Sequence, residues 1–352
     1  MNTLRFGVIG CGEIAAATCL GLSASPLTSI AMLMDTRPET LNDLAELYHV
    51  PTTTDFEAVL RNPEVDAVYI ATPHNLHMSL GIRAAQAGKH VLVEKPIATT
   101  LEDADRLITA CEQARVKLGV AYYAQVDDGH RMARELIRAG ILGEIISIRL
   151  AAIADKPEYY WQGGYTRRVK TDWRTSKAQA GGGILLMNTS HDLNSVRFVT
   201  GLEVARVYAE SDTLATDVEV EDTIGAVVRY QNGAIGVIQA GSALRGGDYQ
   251  TKDGPRIYGT KGQLILNPSG RIAKPLIYLT EAAEGSIPGQ WRELEFSGKS
   301  ADRQSIVEGF AQAVLMDKQP PTTGHDGRKA LEIVLACYRS AQEGQTVALP
   351  IS

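Results

Sequence analysis

Lys95 sits where a side-chain amine could do chemistry. It closes the run Gly88-Lys89-His90-Val91-Leu92-Val93-Glu94-Lys95-Pro96, in which a short apolar stretch leads into a charged pair and a proline. Such a stretch reads as a strand covered on both faces, so its last residues stand at the C-terminal edge, where open α/β sheets bind ligands. Pro96 biases Lys95 toward an extended backbone and thereby fixes the direction of its side chain. An amine held there can take a proton from a hydroxyl or return one, if it is within hydrogen-bond reach and its ammonium form is disfavoured. Glu94 either tunes Lys95 or points to the sheet's other face.

A second chemical signal stands upstream. Gly10-Cys11-Gly12-Glu13-Ile14-Ala15 follows the apolar run Leu4–Ile9 and fits the G-x-G-x-x-G/A fingerprint of a dinucleotide-binding turn. Gly10 permits the tight turn, Gly12 lets backbone approach a pyrophosphate, and Ala15 allows close helix–strand packing. The backbone N–H groups at the helix start, those of Glu13 and Ile14 included, would meet the phosphates. Asp35, 25 positions after Gly10, closes the next apolar run. Its carboxylate can accept both ribose hydroxyls of NAD, whereas it repels a 2′-phosphate. Arg37 either pairs with such a phosphate or is a solvated helix-start residue. NAD is the expected cofactor, with NADP as the alternative.

The elements that must carry these residues alternate. Leu4–Ile9, Ser29–Met34, Ala67–Ala71, His90–Val93 and Leu118–Tyr122 read as buried strands, with helical segments such as Pro38–Tyr48 and Leu101–Val116 between them. Thr100 with Asp103 resembles a capping pair. This pattern predicts a Rossmann domain, a doubly wound parallel sheet, over residues 1–124. After Val126 the grammar changes. A helix over Gly129–Ala139 precedes long alternating stretches, and Gln231-Asn232-Gly233 between Thr223–Tyr230 and Ala234–Ala240 is a strong hairpin signal. A second hairpin is expected around Gly262, and helices over Gly183–Val199, Gln304–Met316 and Arg328–Glu343. Residues 125–352 therefore read as an α+β domain with a large, mainly antiparallel open sheet.

Composition narrows the classes. The chain has 352 residues, and 35 Lys+Arg against 41 Asp+Glu give a net charge of −6 with no basic run, which argues against nucleic acid as a partner. No apolar run reaches the roughly 18 to 20 residues that cross a bilayer. The first residues, MNTLRFGVIGCG, lack a signal peptide's apolar stretch and read as the start of the fold. Cys11, Cys19, Cys111 and Cys337 show neither CxxC nor disulfide-framework spacing, so a reducing cytoplasm is expected. His74, His77 and His130 lack metal-ligand spacing, and no metal is expected.

Four elements together resemble the Gfo/Idh/MocA family of NAD(P)-dependent oxidoreductases: Gly10–Ala15, Ala71-Thr72-Pro73-His74-Asn75-Leu76-His77, the Glu-Lys-Pro turn, and Trp173-Arg174 followed by Gly181-Gly182-Gly183 and His191. The resemblance implies hydride exchange between nicotinamide and a carbon bearing a hydroxyl, usually on a sugar, inositol or related polyol. It implies Lys95 as the proton-transfer residue with His191 assisting. Ala71, Thr72, Pro73, His77, Glu94 and Lys95 join Gly10, Gly12, Glu13, Ile14, Asp35 and Arg37 around the cofactor. It further implies a homo-oligomer, a dimer or tetramer, formed through the C-terminal sheet.

The pattern departs from the family around His191. Many relatives carry an Asp four residues before the histidine, on the same helix face; here that position is Met187, which has no charge. Asn194 stands where relatives often have another Asp. Either catalysis rests on Lys95 and His191, with Asn188 holding a hydroxyl, or the site uses another carboxylate such as Asp172 or has lost its chemistry. Asp192, adjacent to His191, would point about 100° around the helix. On the substrate side stand Lys95, Tyr122, Trp161, Trp173, Arg174, Asn188 and His191. The aromatic residues, Tyr159, Tyr160 and Tyr165 among them, either wall a sugar or pack a core. Reduction of imines, dihydrodiols or ketoacids, or NAD(H) binding without turnover, are the alternative functions.

Overall fold

A computed structural model of the chain describes residues 3–246, 254–266, 274–283, 287–296, 298 and 300–351. They form two compact units: Met1–Tyr122 with Pro157–Gly181 and Asp302–Leu331, and Tyr123–Lys156 with Gly182–Ala301 and Glu332–Ser352. A single boundary near Ala124 therefore describes only the first of the chain's passages from one unit to the other.

The first unit is built on six parallel strands, β1 (Leu4–Ile9), β2 (Thr28–Met34), β3 (Thr52–Thr53), β4 (Ala67–Ile70), β5 (His90–Val93) and β6 (Leu118–Val120). β4 is buried along its whole length and β1 at all positions but Arg5, as strands covered on both faces must be. The order β3-β2-β1-β4-β5-β6 reverses its sense between β1 and β4. The crevice at the C-terminal ends of those two strands is where such sheets take their ligands. Leu101–Gln113 begins at the expected cap, Thr100 Oγ1 accepting the Asp103 N–H at 3.1 Å. The helix expected over residues 38–48 is instead a 3-10 turn, Pro38–Thr40, followed by an α-helix, Asn42–Tyr48. The helix Arg303–Leu315 completes this unit, with the Phe310 ring 6.1 Å from that of Phe6.

The second unit holds a nine-stranded sheet: β7 (Ile145–Ile153), β8 (Val204–Asp212), β9 (Thr223–Tyr230), β10 (Ile235–Gly241), β11 (Arg256–Gly259), β12 (Gly262–Ile265), β13 (Leu276–Leu279), β14 (Trp291–Glu293) and β15 (Val347–Ala348), in the order β14-β13-β12-β11-β7-β10-β9-β8-β15. Its pairs are antiparallel apart from β7 with β10. The Asn-Gly turn joins β9 to β10 with Gly233 at φ 90°, a left-handed conformation that glycine takes without strain. The next hairpin turns at Thr260-Lys261, and Gly262 is the first residue of β12 rather than the turn itself. The helices Asp128–Arg138 and Ser190–Thr200 cover one face, where Ala133 and Val199 are buried with Ile257, Leu264, Ile277 and Leu279. Among the described residues the other face is open at β8, β9 and β10: Tyr208, Val227 and Val237 lie in register there and are 42%, 52% and 45% exposed. Among the described residues no helix is long and apolar enough to cross a membrane.

Candidate active site

The glycine turn follows β1 at the switch of strand order. Gly10 has φ 84°, and a Cβ there would lie 2.9 Å from the Ala71 carbonyl oxygen, so the turn admits no side chain. A Cβ on Gly12, by contrast, would meet nothing within 4 Å. Among the described residues no side chain caps the helix Glu13–Ala24 that starts here, which leaves its first N–H groups open toward an anion. Room above Gly12 and an uncapped helix end are what a pyrophosphate needs. Asp35 is buried at the end of β2, its Oδ2 accepting the Cys11 N–H at 2.9 Å and its Oδ1 the Arg37 N–H at 3.0 Å. Arg37 turns its guanidinium back on that carboxylate, with Nε 3.6 Å from Oδ1, and donates through Nη1 to the Lys170 carbonyl at 3.1 Å. A guanidinium so engaged is poorly placed to receive a 2′-phosphate, which fits NAD.

The segment Pro157–Gly181 runs against the same turns. Glu13 accepts the N–H groups of Tyr165 at 3.2 Å and Thr166 at 2.8 Å, and Arg174 stands 3.9 Å from it. Arg168 donates to the carbonyls of Cys11 at 3.2 Å and Thr40 at 2.9 Å and pairs with Asp43. The Arg174 guanidinium lies over the rings of Trp173 at 4.6 Å and Tyr160 at 5.3 Å. Trp173 meets His74 edge-on at 4.6 Å, while Trp161 and Tyr122 are buried. Asp172, the alternative carboxylate, is exposed in this segment.

Lys95, half-buried, follows β5, and its peptide bond to Pro96 is cis. Its neighbour Glu94 is buried, accepting from Tyr69 Oη at 2.6 Å and from Arg303, while Tyr69 accepts in turn from Thr18 Oγ1 at 3.0 Å. Burial alone would raise the Glu94 carboxyl, but Arg303 and Lys95 outweigh it and hold it below the usual range. Glu94 thus anchors the Lys95 turn to the sheet's interior. His77 ties that turn to the one after β4, with Nδ1 2.7 Å from the Pro96 carbonyl and Nε2 3.1 Å from the Thr72 carbonyl. His74 Nδ1 donates to the Ala180 carbonyl at 2.7 Å. Burial lowers the pKa of both rings, and that of His74 strongly, so His74 stays neutral near pH 7.

In the second unit Gly182-Gly183 leads into one π-helical turn, Leu185–Thr189, and then the helix Ser190–Thr200. Glu221 holds this start: its carboxylate accepts the N–H groups of Gly183 at 2.5 Å and Leu185 at 2.9 Å and the Tyr338 hydroxyl at 2.8 Å. Burial nonetheless keeps its carboxyl above the usual range. A Cβ on Gly183 would fall 1.8 Å from the Glu221 carbonyl oxygen, which accounts for glycine there. Met187 is 3% exposed, whereas Asn188 and His191 are half-buried, and the His191 ring lies 5.5 Å from that of Tyr123. Asn194 is fully buried in a reciprocal amide pair with Gln125, at 3.1 and 2.9 Å, and so holds the Tyr123–Val126 turn. Desolvation pushes the Asp192 carboxyl up to about 7. Lys156, three positions after β7, donates to Asn188 Oδ1 at 2.7 Å and is only 2% exposed.

Sequence reasoning missed Lys156 and Glu221. A signal for the first exists, since Asp155-Lys156-Pro157 repeats the acid-lysine-proline pattern of Glu94-Lys95-Pro96. Among the described residues no group of histidine, cysteine and carboxylate side chains could hold a metal.

Comparison with known proteins agrees over the whole length. Residues 4–122 match the NAD-binding Rossmann fold of the GFO/IDH/MocA oxidoreductase family, and residues 130–265 match the family's C-terminal domain. The chain is 31% identical to the 1,5-anhydro-D-fructose reductase of Ensifer adhaerens, over 98% of each chain. It is 27% identical to the myo-inositol 2-dehydrogenase of Thermotoga maritima, again over 98% of each. The crystal structure of an aldose-aldose oxidoreductase from Caulobacter crescentus, complexed with glycerol, superposes with TM-score 0.85 at 28% identity, covering 99% of this chain and 100% of that one. The chain belongs to the Gfo/Idh/MocA family and is an NAD-dependent oxidoreductase, with the family's Rossmann and C-terminal domains in that order.

Proposed function

We propose that the protein interconverts a secondary hydroxyl and a ketone on a sugar, inositol or related cyclic polyol. Lys95 moves the hydroxyl proton and His191 assists. The observation that carries this reading is the position of Lys95 in the chain: the residue follows β5 at the C-terminal edge of the sheet, and Glu94 and His77 hold its turn. Gly10, Gly12 and Asp35 would hold NAD(H), which would supply the hydride acceptor for oxidation or the hydride donor for reduction. In the oxidative direction Lys95 takes the proton from the substrate oxygen, and in the reductive direction it gives one back. His191 orients that oxygen. The names of the relatives, a reductase of an anhydro sugar and a dehydrogenase of an inositol, support the substrate class.

The open face of the nine-stranded sheet supports assembly with a second copy. The row Tyr208, Val227 and Val237 is apolar and exposed, which is costly unless another surface covers it. The unit built on the parallel sheet is then the cofactor unit, and the unit built on the nine-stranded sheet the substrate and assembly unit.

The test is a panel of 1,5-anhydro-D-fructose and related keto sugars with NADH, and inositols and aldoses with NAD⁺, followed through NADH absorbance. The proposal expects at least one sugar or polyol to turn over. Tight NADH binding with no hydride exchange across the panel would favour the regulatory reading that Met187 motivates, and turnover confined to imines or ketoacids the non-sugar one.

A further inference from the structure

We propose that Lys156 is a positioning residue: it turns the Asn188 carboxamide so that Nδ2 is presented to the substrate, making this part of the His191 helix a hydrogen-bond donor to a ligand oxygen. The inference rests on the reading above, that the face bearing Asn188 and His191 meets substrate.

The geometry leaves one choice of orientation. An ammonium carries three donors and no acceptor, so across 2.7 Å Asn188 must offer Oδ1 to Lys156 Nζ. The carboxamide is planar and rigid, so with Oδ1 fixed on Lys156 its two Nδ2 hydrogens face the other way. Lys156 is itself held in place. Its N–H donates to the Ser242 carbonyl at 2.7 Å, and Asp155 forms a bridge with Ala243 beside it. Three residues separate Asn188 from His191, about one helical turn, so both can reach one ligand.

Burial makes a filler role a poor account of Lys156. A lysine taken almost wholly out of water carries a desolvation cost that an apolar side chain of similar length avoids. An ammonium, however, is what discriminates the two ends of a carboxamide. The consequence is a preference among ligands: a carbonyl, ether or hydroxyl oxygen accepts from Nδ2, whereas an ammonium group, as on an amino sugar, finds only donors.

The experiment uses the full-length protein and the sugar or polyol of the panel that it turns over fastest, with NADH affinity measured separately by fluorescence titration. Lys156→Met should raise KM about 10- to 100-fold, the loss expected of one hydrogen bond in a charged network, with NADH affinity unchanged. Lys156→Arg should recover most of it. Asn188→Asp keeps an acceptor for Lys156 but turns the exposed end into an acceptor; it should hold the melting temperature and still raise KM. Adding Lys156→Met to Asn188→Asp should raise KM little further. A KM within twofold of wild type in both single variants, effects that multiply in full in the double variant, or NADH affinity falling in step with KM would overturn the proposal. His191→Ala separates the two levels: if it impairs turnover while Lys156→Met does not, only the role of Lys156 fails. If neither does, or if no panel compound turns over, the substrate reading fails with it.

Discussion

Arg303→Leu should make the stability of the first unit depend on pH in a way the wild type does not. In the wild type, burial pushes the Glu94 carboxyl up, and Arg303 and Lys95 more than offset it, so the folded value lies below the unfolded one. Glu94 then contributes stability that is present above about pH 4.3, the free value, and lost as pH falls below it. With Arg303 replaced, burial, already the largest single influence, loses its main opponent, and the folded value is expected to rise above the free one. The sign inverts: the native state now binds the proton better, and stability declines as pH climbs from about 4.3 toward the new folded value. Breaking a buried ion pair by removing one partner costs about 3–5 kcal/mol, and both side chains are little exposed, Arg303 at 17% and Glu94 at 8%. Urea unfolding followed by tryptophan fluorescence should therefore show a deficit of that size at pH 8 and a clearly smaller one at pH 5. Arg303→Leu with Glu94→Gln should recover most of the loss, because the amide carries no charge and still accepts from Tyr69. A deficit under about 1 kcal/mol, or an equal one at both pH values, refutes the reasoning.

Asp192→Asn should raise the melting temperature at pH 8 and leave it unchanged at pH 4. Desolvation lifts this carboxyl to about 7, so stability is lost as pH rises from about 3.9 through that value, by at most about 4 kcal/mol; calorimetry at the two pH values checks it, and an equal shift at both contradicts it. On the proposed assembly the wild type should sediment as a dimer or tetramer, and Val237→Lys, which places a charge in the exposed row shared with Tyr208 and Val227, should lower its sedimentation coefficient. An unchanged sedimentation coefficient would remove the sheet face as the interface.

What the sequence made legible was local. The run Leu4–Ile9 before Gly10, the acid at Asp35 and the apolar stretch before Lys95 each declare themselves within about ten residues, and the Asn232-Gly233 hairpin within three. What it hid depends on distant partners. Nothing near Pro157–Gly181 says that Arg168 will reach Asp43 and Cys11, more than 120 positions away, so the return of that segment to the first unit was invisible. Lys156 finds its meaning in Asn188, and Glu221 in Gly183 and Leu185, over separations of 32 to 38 positions. One miss was avoidable. The helix expected from Arg328 starts at Gly324 because Thr323 and Asp326 cap it reciprocally, Asp326 Oδ2 accepting the Thr323 N–H at 2.9 Å and Thr323 Oγ1 the Asp326 N–H at 3.2 Å. Gly324 and Gly327 lower helix propensity and masked a capping box that was there to be read.

The role of Lys95 is tested most directly by Lys95→Met, which keeps the length of the side chain and removes its proton-carrying nitrogen. Single-turnover hydride transfer should slow about 10²- to 10⁴-fold while NADH affinity stays within about threefold of wild type. Hydride transfer at the wild-type rate would mean that the proton travels by another route and that the amine after β5 is a bystander.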